Sequence, residues 1–409
     1  MNNTTKQLPW YFTPAVVIVA GCLVAIVNFG VRSSFGFFTA PISEAHAWPR
    51  EIFSFGLALQ NLLWGIATPI AGALADRYGA ARVIMVGAVV YAMGVCLMAV
   101  ADTPFLFHLS AGIMVGIGIA LSSFGIVMAA LGRIVPSEKR SWAFGIATAS
   151  GSLGQFILAP LGATLVTAYG WQTALMILGA STLLIVIFAV PLLVQNSSNS
   201  KITKDEADIT MSQAIGGAFA HRSYVMLVAG FFVCGFQLAF ITVHLPPYLA
   251  EHGISKEFAG FAMSAIGLFN VVGSYTSGII GGKYQKRFPL SVIYILRSVI
   301  ILGFIMFPIT PVSTFIFTAT MGFLWLSTVP LTMGLVTVMF GTRYMATLYG
   351  FVFLSHQIGS FFGVWLGGRL YDMYGNYDVV WWLSIGLGLF AALINLPISE
   401  TRAPKFAAA

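Results

Sequence analysis

The chain has 409 residues, of which 58% are hydrophobic and only 8% are charged. An ordinary soluble domain carries about a quarter charged residues, so this composition excludes a water-soluble surface and makes a lipid bilayer the expected surroundings. The net charge of +7 resides mostly in segments between apolar runs, where basic residues orient a membrane protein, so no nucleic-acid partner is expected.

Twelve apolar runs follow one another along the chain, and each is long enough to cross a hydrocarbon core about 30 Å thick. One long polar stretch, 195–221, separates six runs from six. We therefore predict an all-α membrane protein with an N-terminal six-helix bundle (1–194), a cytoplasmic linker (195–221) and a C-terminal six-helix bundle (222–409). The predicted transmembrane helices are 12–41, 50–75, 81–100, 104–132, 138–167, 170–194, 222–250, 256–281, 288–309, 311–338, 343–371 and 376–397.

The two halves of the sequence resemble each other after a shift of 205 or 206 positions. Parallel repeats of six helices, related by a pseudo-two-fold axis along the membrane normal, are the architecture of secondary transporters that bind substrate between the halves. Alternating access is therefore the expected mechanism. Matched pairs include Gly145 with Gly350, Ser150 with Ser355, Gly154 with Gly359, Pro41 with Pro247 and Tyr78 with Tyr284.

The basic residues outside the spans indicate the orientation. Nearly all of them fall in segments on one side of the membrane, and the opposite side holds only Arg50, Lys256 and Arg369. Because basic segments stay cytoplasmic, both termini are predicted to be cytoplasmic in a multi-pass protein of the bacterial inner membrane.

The sequence offers no chemistry for catalysis. Its three cysteines lie inside apolar runs without metal-ligand spacing, and there is no Ser/His/Asp set or phosphate-binding loop. An enzyme, a cofactor and a metal site are therefore not expected.

Charged residues in the middle of the predicted spans are few and positive. Every Asp and Glu lies in a loop or at a helix end, whereas Arg32 lies in the first span and Arg297 in the ninth. A cavity whose fixed charge is positive selects anions, and a guanidinium fits a carboxylate bidentately. Arg32 is therefore the predicted anion-binding residue, with an interhelical arginine bonded to carbonyl groups as the alternative. The role of Arg297 stays open: it could contact the substrate or bond to neighbouring helix ends.

Further polar side chains within the spans are candidates for the substrate path. His356 and His244 are predicted to serve proton coupling, since an imidazole can exchange a proton in the physiological pH range, and each has a structural alternative. We expect Pro246 and Pro247 to break the seventh helix beside His244, where a gate would form. The other predicted substrate-contacting residues are Asn61, Gln155, Gln237, Asn270, Trp325 and Gln357.

Between the second and third spans stands the segment Gly72-Ala-Leu-Ala-Asp76-Arg77-Tyr-Gly79-Ala-Ala-Arg82. Its glycines allow two helices to approach closely, and its carboxylate and guanidinium can pair with each other and with nearby helix ends, which predicts a latch on one gating state. The pattern resembles the signature loop of the major facilitator superfamily, Gly-x-x-x-Asp-Arg-x-Gly followed by a basic residue. The corresponding segment 278–284 has no acidic residue, which predicts an asymmetric latch.

The resemblance to that superfamily covers essentially the whole chain and implies its twelve-helix fold. Arg32-Ser33 followed by Phe37-Phe38 is similar to the first-helix segment of monocarboxylate porters, where a lysine, a serine and phenylalanines contribute to the substrate path. On this resemblance, Arg32 replaces the lysine. Oxalate/formate antiporters, a related branch, place a cationic residue on helix 11, where His356 stands here.

The eighth span departs from the porters, which often carry an Asp and an Arg there, because Asn270 and Ser274 occupy similar places. The expected function is that of a monomeric secondary transporter of small organic anions, with monocarboxylates favoured, by proton symport or anion exchange. Efflux of a hydrophobic or drug-like compound, suggested by 34 phenylalanines, is the alternative.

Overall fold

The computed structural model describes residues 13–193 and 209–406, and every regular element within them is helical. The predicted linker lies outside these ranges over residues 195–208, and the proposed domain boundaries stay a prediction. Twelve long helical segments follow the predicted order closely. They are α1 (Pro14–His46), α2 (Arg50–Tyr78), α3 (Ala80–Met98), α4 (Pro104–Ile134), α5 (Arg140–Tyr169), α6 (Trp171–Leu193), α7 (Arg222–Glu251), α8 (Lys256–Lys283), α9 (Arg287–Met306), α10 (Pro311–Phe340), α11 (Met345–Tyr374) and α12 (Asp378–Asn395).

Eleven of these segments, within the described part of the chain, are long and apolar enough to cross a membrane. The remaining one, α11, is a continuous helix of 30 residues, but Ser355, His356, Gln357 and Ser360 interrupt its apolar sequence. Polar side chains at membrane depth are tolerated where they face protein or a cavity. The composition of α11 therefore marks it as a helix that faces the interior.

In the first half, α4 is interrupted at Ser122 and Ser123. Asn28 of α1 donates from Nδ2 to both the carbonyl (3.1 Å) and the hydroxyl (2.7 Å) of Ser122. Tyr91 of α3 donates its hydroxyl to the Asn28 carbonyl at 3.3 Å. Irregular backbone inside a membrane needs such protein partners, because lipid supplies none.

The second half repeats this arrangement at the interruption of α10. Cys234 Sγ lies 3.3 Å from Thr328 Oγ1, and Arg297 Nη1 lies 3.5 Å from the same sulfur. Cys234 and Thr328 are 94 positions apart in the sequence, as Asn28 and Ser122 are. Cys234 and Arg297 are 63 positions apart, as Asn28 and Tyr91 are. The internal duplication is thus preserved in side-chain contacts, and the fold is two six-helix bundles related by a pseudo-two-fold axis.

The two bundles contact each other mainly through α2 against α11 and α5 against α8. A Cβ on Gly72 would collide with the Ala346 backbone, and one on Gly145 would lie 2.7 Å from the Cα of Gly278. Both contacts lie toward the end of the molecule where α2 finishes, which we call the Asp76 end. Glycine is required there because the helix backbones touch, so the bundles are closed against each other at the Asp76 end.

Candidate functional site

Arg32 lies where α1 changes from an α-helix, which ends at Ser33, to the 3₁₀ turn Phe35–Phe38. Its Nη2 donates to Asn61 Oδ1 on α2 at 2.5 Å, and its Cζ lies 4.7 Å from the ring centroid of Trp64. Arg32 Nε is buried without a hydrogen-bond partner. The guanidinium is therefore held by neutral groups and retains donor capacity for an anion.

Polar contacts continue from Arg32 into the second bundle. Asn61 Nδ2 donates to the Leu57 carbonyl at 3.0 Å, which directs its Oδ1 toward Arg32. Gln357 of α11 donates to the Asn61 carbonyl at 3.1 Å, and its Oε1 lies 3.2 Å from His356 Nδ1. Four of the predicted site residues, Arg32, Asn61, Gln357 and His356, thus form one polar chain across the two bundles, which we call the Arg32 chain.

Aromatic rings surround this chain. The Trp64 ring lies edge-on to Phe29, with centroids 5.9 Å apart, and tilted against Phe353 at 4.9 Å. Phe353 stacks on the His356 ring at 5.4 Å. Trp64 Nε1 is also buried without a partner. Because rings exclude water and lower the local dielectric constant, a charge beside Arg32 interacts with it more strongly than it would in solution.

Arg297 and Gln237 belong to a different network. Arg297 is fully buried and donates from Nη2 to the carbonyls of Leu324 (2.7 Å) and Trp325 at the interruption of α10. Gln237 Oε1 lies 3.4 Å from Arg297 Nη1, and its Nε2 donates to the Ser384 carbonyl at 3.0 Å. Carbonyls at a helix C-terminus carry partial negative charge, which stabilises a buried cation. Arg297 therefore ties α9 to the broken helix α10.

Asn270 joins α8 to the other bundle. Its Nδ2 donates to Ser152 Oγ of α5 at 2.7 Å. Its Oδ1 accepts from Ser274 Oγ at 3.1 Å and from the Leu326 backbone N–H at 2.9 Å. Both ends of the amide are occupied by protein, and these contacts do not include the Arg32 chain.

The other predicted residues lie apart from Arg32. His244 Nε2 lies 3.0 Å from the Val364 carbonyl. The prediction that Pro246 and Pro247 break α7 is wrong, since the helix continues to Glu251. Both prolines lie within the last two turns of α7, and each removes one backbone N–H donor without ending the helix. Of the remaining candidates, Gln155 lies half-buried on α5 and Trp325 at the interruption of α10.

The side chain of the predicted latch residue Asp76 is fully buried and pairs with Arg133 at the end of α4. Its other carboxylate oxygen accepts from the backbone N–H (2.8 Å) and the hydroxyl (2.6 Å) of Thr347. Thr347 lies in the first turn of α11, where the helix dipole favours a negative charge. The carboxylate therefore holds the start of α11 in the second bundle against α2 in the first.

Arg133 extends this contact by donating to the carbonyls of Thr342 and Arg343, both at 3.0 Å. Arg77, which the sequence offered as the partner of Asp76, is exposed and lies over the Tyr78 ring. The other predicted latch residues make no contact with the Asp76 carboxylate among the hydrogen bonds and ion pairs described above. Gly72 makes the backbone contact already described, Gly79 turns the chain with a φ of 96°, and Arg82 is exposed.

The corresponding segment of the second bundle lacks this ion pair. Gly282 stands at the position of Asp76, and a Cβ on the neighbouring Gly281 would collide with the Ser141 hydroxyl of α5. Close glycine packing makes the α5–α8 contact here, whereas the α2–α11 contact combines its own glycine packing at Gly72 with the Asp76 ion pair.

Three residues were missed from the sequence: Arg133, Thr347 and Trp64. Trp64 follows Asn61 by three positions, so it shares a helix face with it, and this spacing could have identified it. Arg133 lies on the same predicted side of the membrane as Asp76, but a loop motif does not show which basic residue a carboxylate will meet.

The sequence profile of the Major Facilitator Superfamily matches residues 21–364. The chain belongs to this superfamily. It is 27% identical over 401 residues to monocarboxylate transporter 13 of Rattus norvegicus, covering 93% of this chain and 88% of that protein. It is 24% identical over 416 residues to the uncharacterized MFS-type transporter YcxA of Bacillus subtilis (strain 168), covering 98% of each.

Solved structures of the superfamily share the fold. The transporter FucP in its outward conformation superposes with a TM-score of 0.74 at 16% identity, covering 95% of this chain and all of that one. The proton:xylose symporter XylE gives a TM-score of 0.69 at 14% identity, covering 95% and 96%. The chain is therefore a multi-pass membrane transporter, and membership of a transporter family confirms that it is not an enzyme.

Proposed function

We propose that this transporter carries small organic anions, with monocarboxylates as the substrate class, by alternating access coupled to proton symport or anion exchange. The observation that carries the proposal is Arg32, a membrane-embedded cation at the contact between the bundles, held by an amide and an indole and with Nε unpartnered. The similarity to proteins named monocarboxylate transporters supports the same substrate class.

The charge balance favours a monoanion. An arginine at the bilayer centre costs roughly 2.5–3.5 kcal/mol or more when nothing compensates it. One carboxylate would neutralise Arg32, whereas a neutral solute would leave the charge in place and a cation would be repelled. The aromatic rings of Trp64 and Phe353 would pack against the apolar part of such a substrate.

The proposed gating follows from the contacts at the Asp76 end. The basic residues favour a cytoplasmic position for this end and for both termini in a bacterial inner membrane. The described state is then closed toward the cytoplasm by Asp76, Gly72 and the Gly145–Gly278 contact. The bundles 1–194 and 222–409, joined by the linker 195–221, would rock about the Arg32 chain to expose the site on either side.

His356 is the proposed proton-coupling residue because it ends the Arg32 chain. Protonation would add a second positive charge near the anion site and strengthen anion binding, and deprotonation would favour release. His244 is a second titratable candidate, although its ring nitrogen lies against the Val364 carbonyl.

Uptake into proteoliposomes, with and without an imposed pH gradient, tests the proposal. The panel contains radiolabelled lactate, pyruvate, oxalate, neutral lactamide and the hydrophobic cation tetraphenylphosphonium. We expect lactate or pyruvate to accumulate above protein-free vesicles and lactamide to remain at background. Transport of tetraphenylphosphonium without any carboxylate would overturn the proposal and favour efflux of hydrophobic compounds.

A further inference from the structure

Hydrogen bonds of Asn61 to its neighbours hold its side-chain oxygen against the Arg32 guanidinium. The side-chain Nδ2 donates to the Leu57 carbonyl, and the side-chain Oδ1 accepts from Arg32 at 2.5 Å. The backbone carbonyl of Asn61 accepts from Gln357. If the side-chain amide rotated by 180°, it would lose the hydrogen bond to Leu57 and would place its NH2 group, a donor, against the donors of Arg32. Its oxygen thus occupies an Arg32 N–H donor that a carboxylate oxygen of a bound anion could otherwise use.

This arrangement matters for the empty transporter. Net transport requires the carrier to reorient both with and without substrate, whereas exchange requires only the loaded carrier to reorient. A bare guanidinium among aromatic rings raises the free energy of the empty carrier as the bundles close around it. An acceptor supplied by the protein removes part of that penalty.

We propose that Asn61 takes the place of the substrate carboxylate on Arg32 in the empty carrier, and that this substitution allows net transport in addition to exchange. The inference rests on the proposed function and adds the residue that sets the transport mode. Asn61 is a positioning residue in this account, because it acts through Arg32.

The choice of an amide fits this role. An amide oxygen accepts the hydrogen bond but leaves the positive charge, so a substrate carboxylate still gains a full charge interaction when it displaces the amide. A carboxylate at position 61 would neutralise Arg32 permanently and compete with the substrate. Asparagine thus supports the empty carrier without blocking anion binding.

The test compares net uptake into empty proteoliposomes with exchange into proteoliposomes preloaded with unlabelled lactate, using radiolabelled lactate throughout. For Asn61→Leu we expect net uptake to fall at least about tenfold relative to exchange, since a lost hydrogen bond to a charged donor is worth about that factor. For Asn61→Asp we expect the net-to-exchange ratio to be kept while the half-saturation concentration rises about tenfold. The matched control is Gln60→Leu, a neighbouring buried amide that donates to the Ala111 carbonyl within its own bundle, and it should keep the wild-type ratio.

Equal losses of net uptake and exchange in Asn61→Leu, or no loss of either, would overturn the inference. If that variant does not assemble, an unchanged half-saturation concentration in Asn61→Asp overturns it instead. Failure of the proposed function looks different, because lactate uptake by the wild-type protein would then be absent or would persist in Arg32→Ala.

Discussion

The Asp76 carboxylate accepts hydrogen bonds from both the backbone N–H and the hydroxyl of Thr347, a residue 271 positions further along the chain. This contact joins the two bundles at the Asp76 end, and Arg133 completes it with an ion pair. Any state that opens this end must break all of these bonds. We therefore propose that Asp76 acts on the equilibrium between gating states and not on the substrate.

Replacing Asp76 with asparagine should lower turnover at least about tenfold, because the partly buried Arg133 guanidinium loses its charged partner. The half-saturation concentration should stay within about twofold of wild type, since a shift between states need not change the site itself. Initial uptake rates over a range of lactate concentrations measure both quantities. Asp102→Asn, which alters an exposed loop carboxylate, is the control, and a large rise in half-saturation with unchanged turnover would contradict the latch.

Replacing Arg297 with methionine should destabilise the protein. The carbonyls of Leu324 and Trp325 would lose their donor, at a cost of roughly 3 kcal/mol, which lowers the midpoint of thermal unfolding by several degrees. Tryptophan fluorescence in detergent measures that midpoint. Arg369→Met, at an exposed position on α11, should change it little, and a fully stable Arg297→Met that no longer transports would instead place Arg297 in the substrate path.

Replacing His356 with glutamine should flatten the pH dependence of lactate uptake. An imidazolium beside the anion site strengthens binding as the pH falls, and an uncharged amide cannot. Exchange should remain measurable in the variant, because Arg32 still binds the anion. His252→Gln, in the α7–α8 connection, is the control, and accumulation of lactate by His356→Gln under an inward proton gradient at the wild-type level would show that His356 does not couple protons.

The sequence predicted the helices well because spanning segments must be long and apolar. It also singled out Arg32, as a rare charge in the middle of a span, and Asp76, through the Gly-x-x-x-Asp-Arg-x-Gly motif, and the functional roles of both stay predictions. α11 shows the limit of hydropathy, because with the polar residues that place it in the Arg32 chain it is the one long helix of the described chain that is not apolar enough to qualify as a membrane span.

Sequence reasoning could not separate polar residues that face the Arg32 chain from those that serve packing. Asn61 and Asn270 are the same residue type in similar apolar surroundings, yet one bonds to Arg32 and the other bridges Ser152 and Leu326. The difference depends on which helix face meets which neighbour. A single sequence does not show how each helix is rotated about its axis. For the same reason it suggested Arg77 as the partner of Asp76, whereas in the structure the partner is Arg133.

Substitution of Arg32 tests the central claim most directly. Lactate uptake should be compared between wild type, Arg32→Ala, Arg32→Lys and the control Arg369→Ala, with each variant confirmed as folded by its elution from a sizing column. We predict that Arg32→Ala abolishes uptake, that Arg32→Lys retains part of it because the charge remains without the planar fork, and that Arg369→Ala transports normally. Wild-type uptake by folded Arg32→Ala would contradict the account.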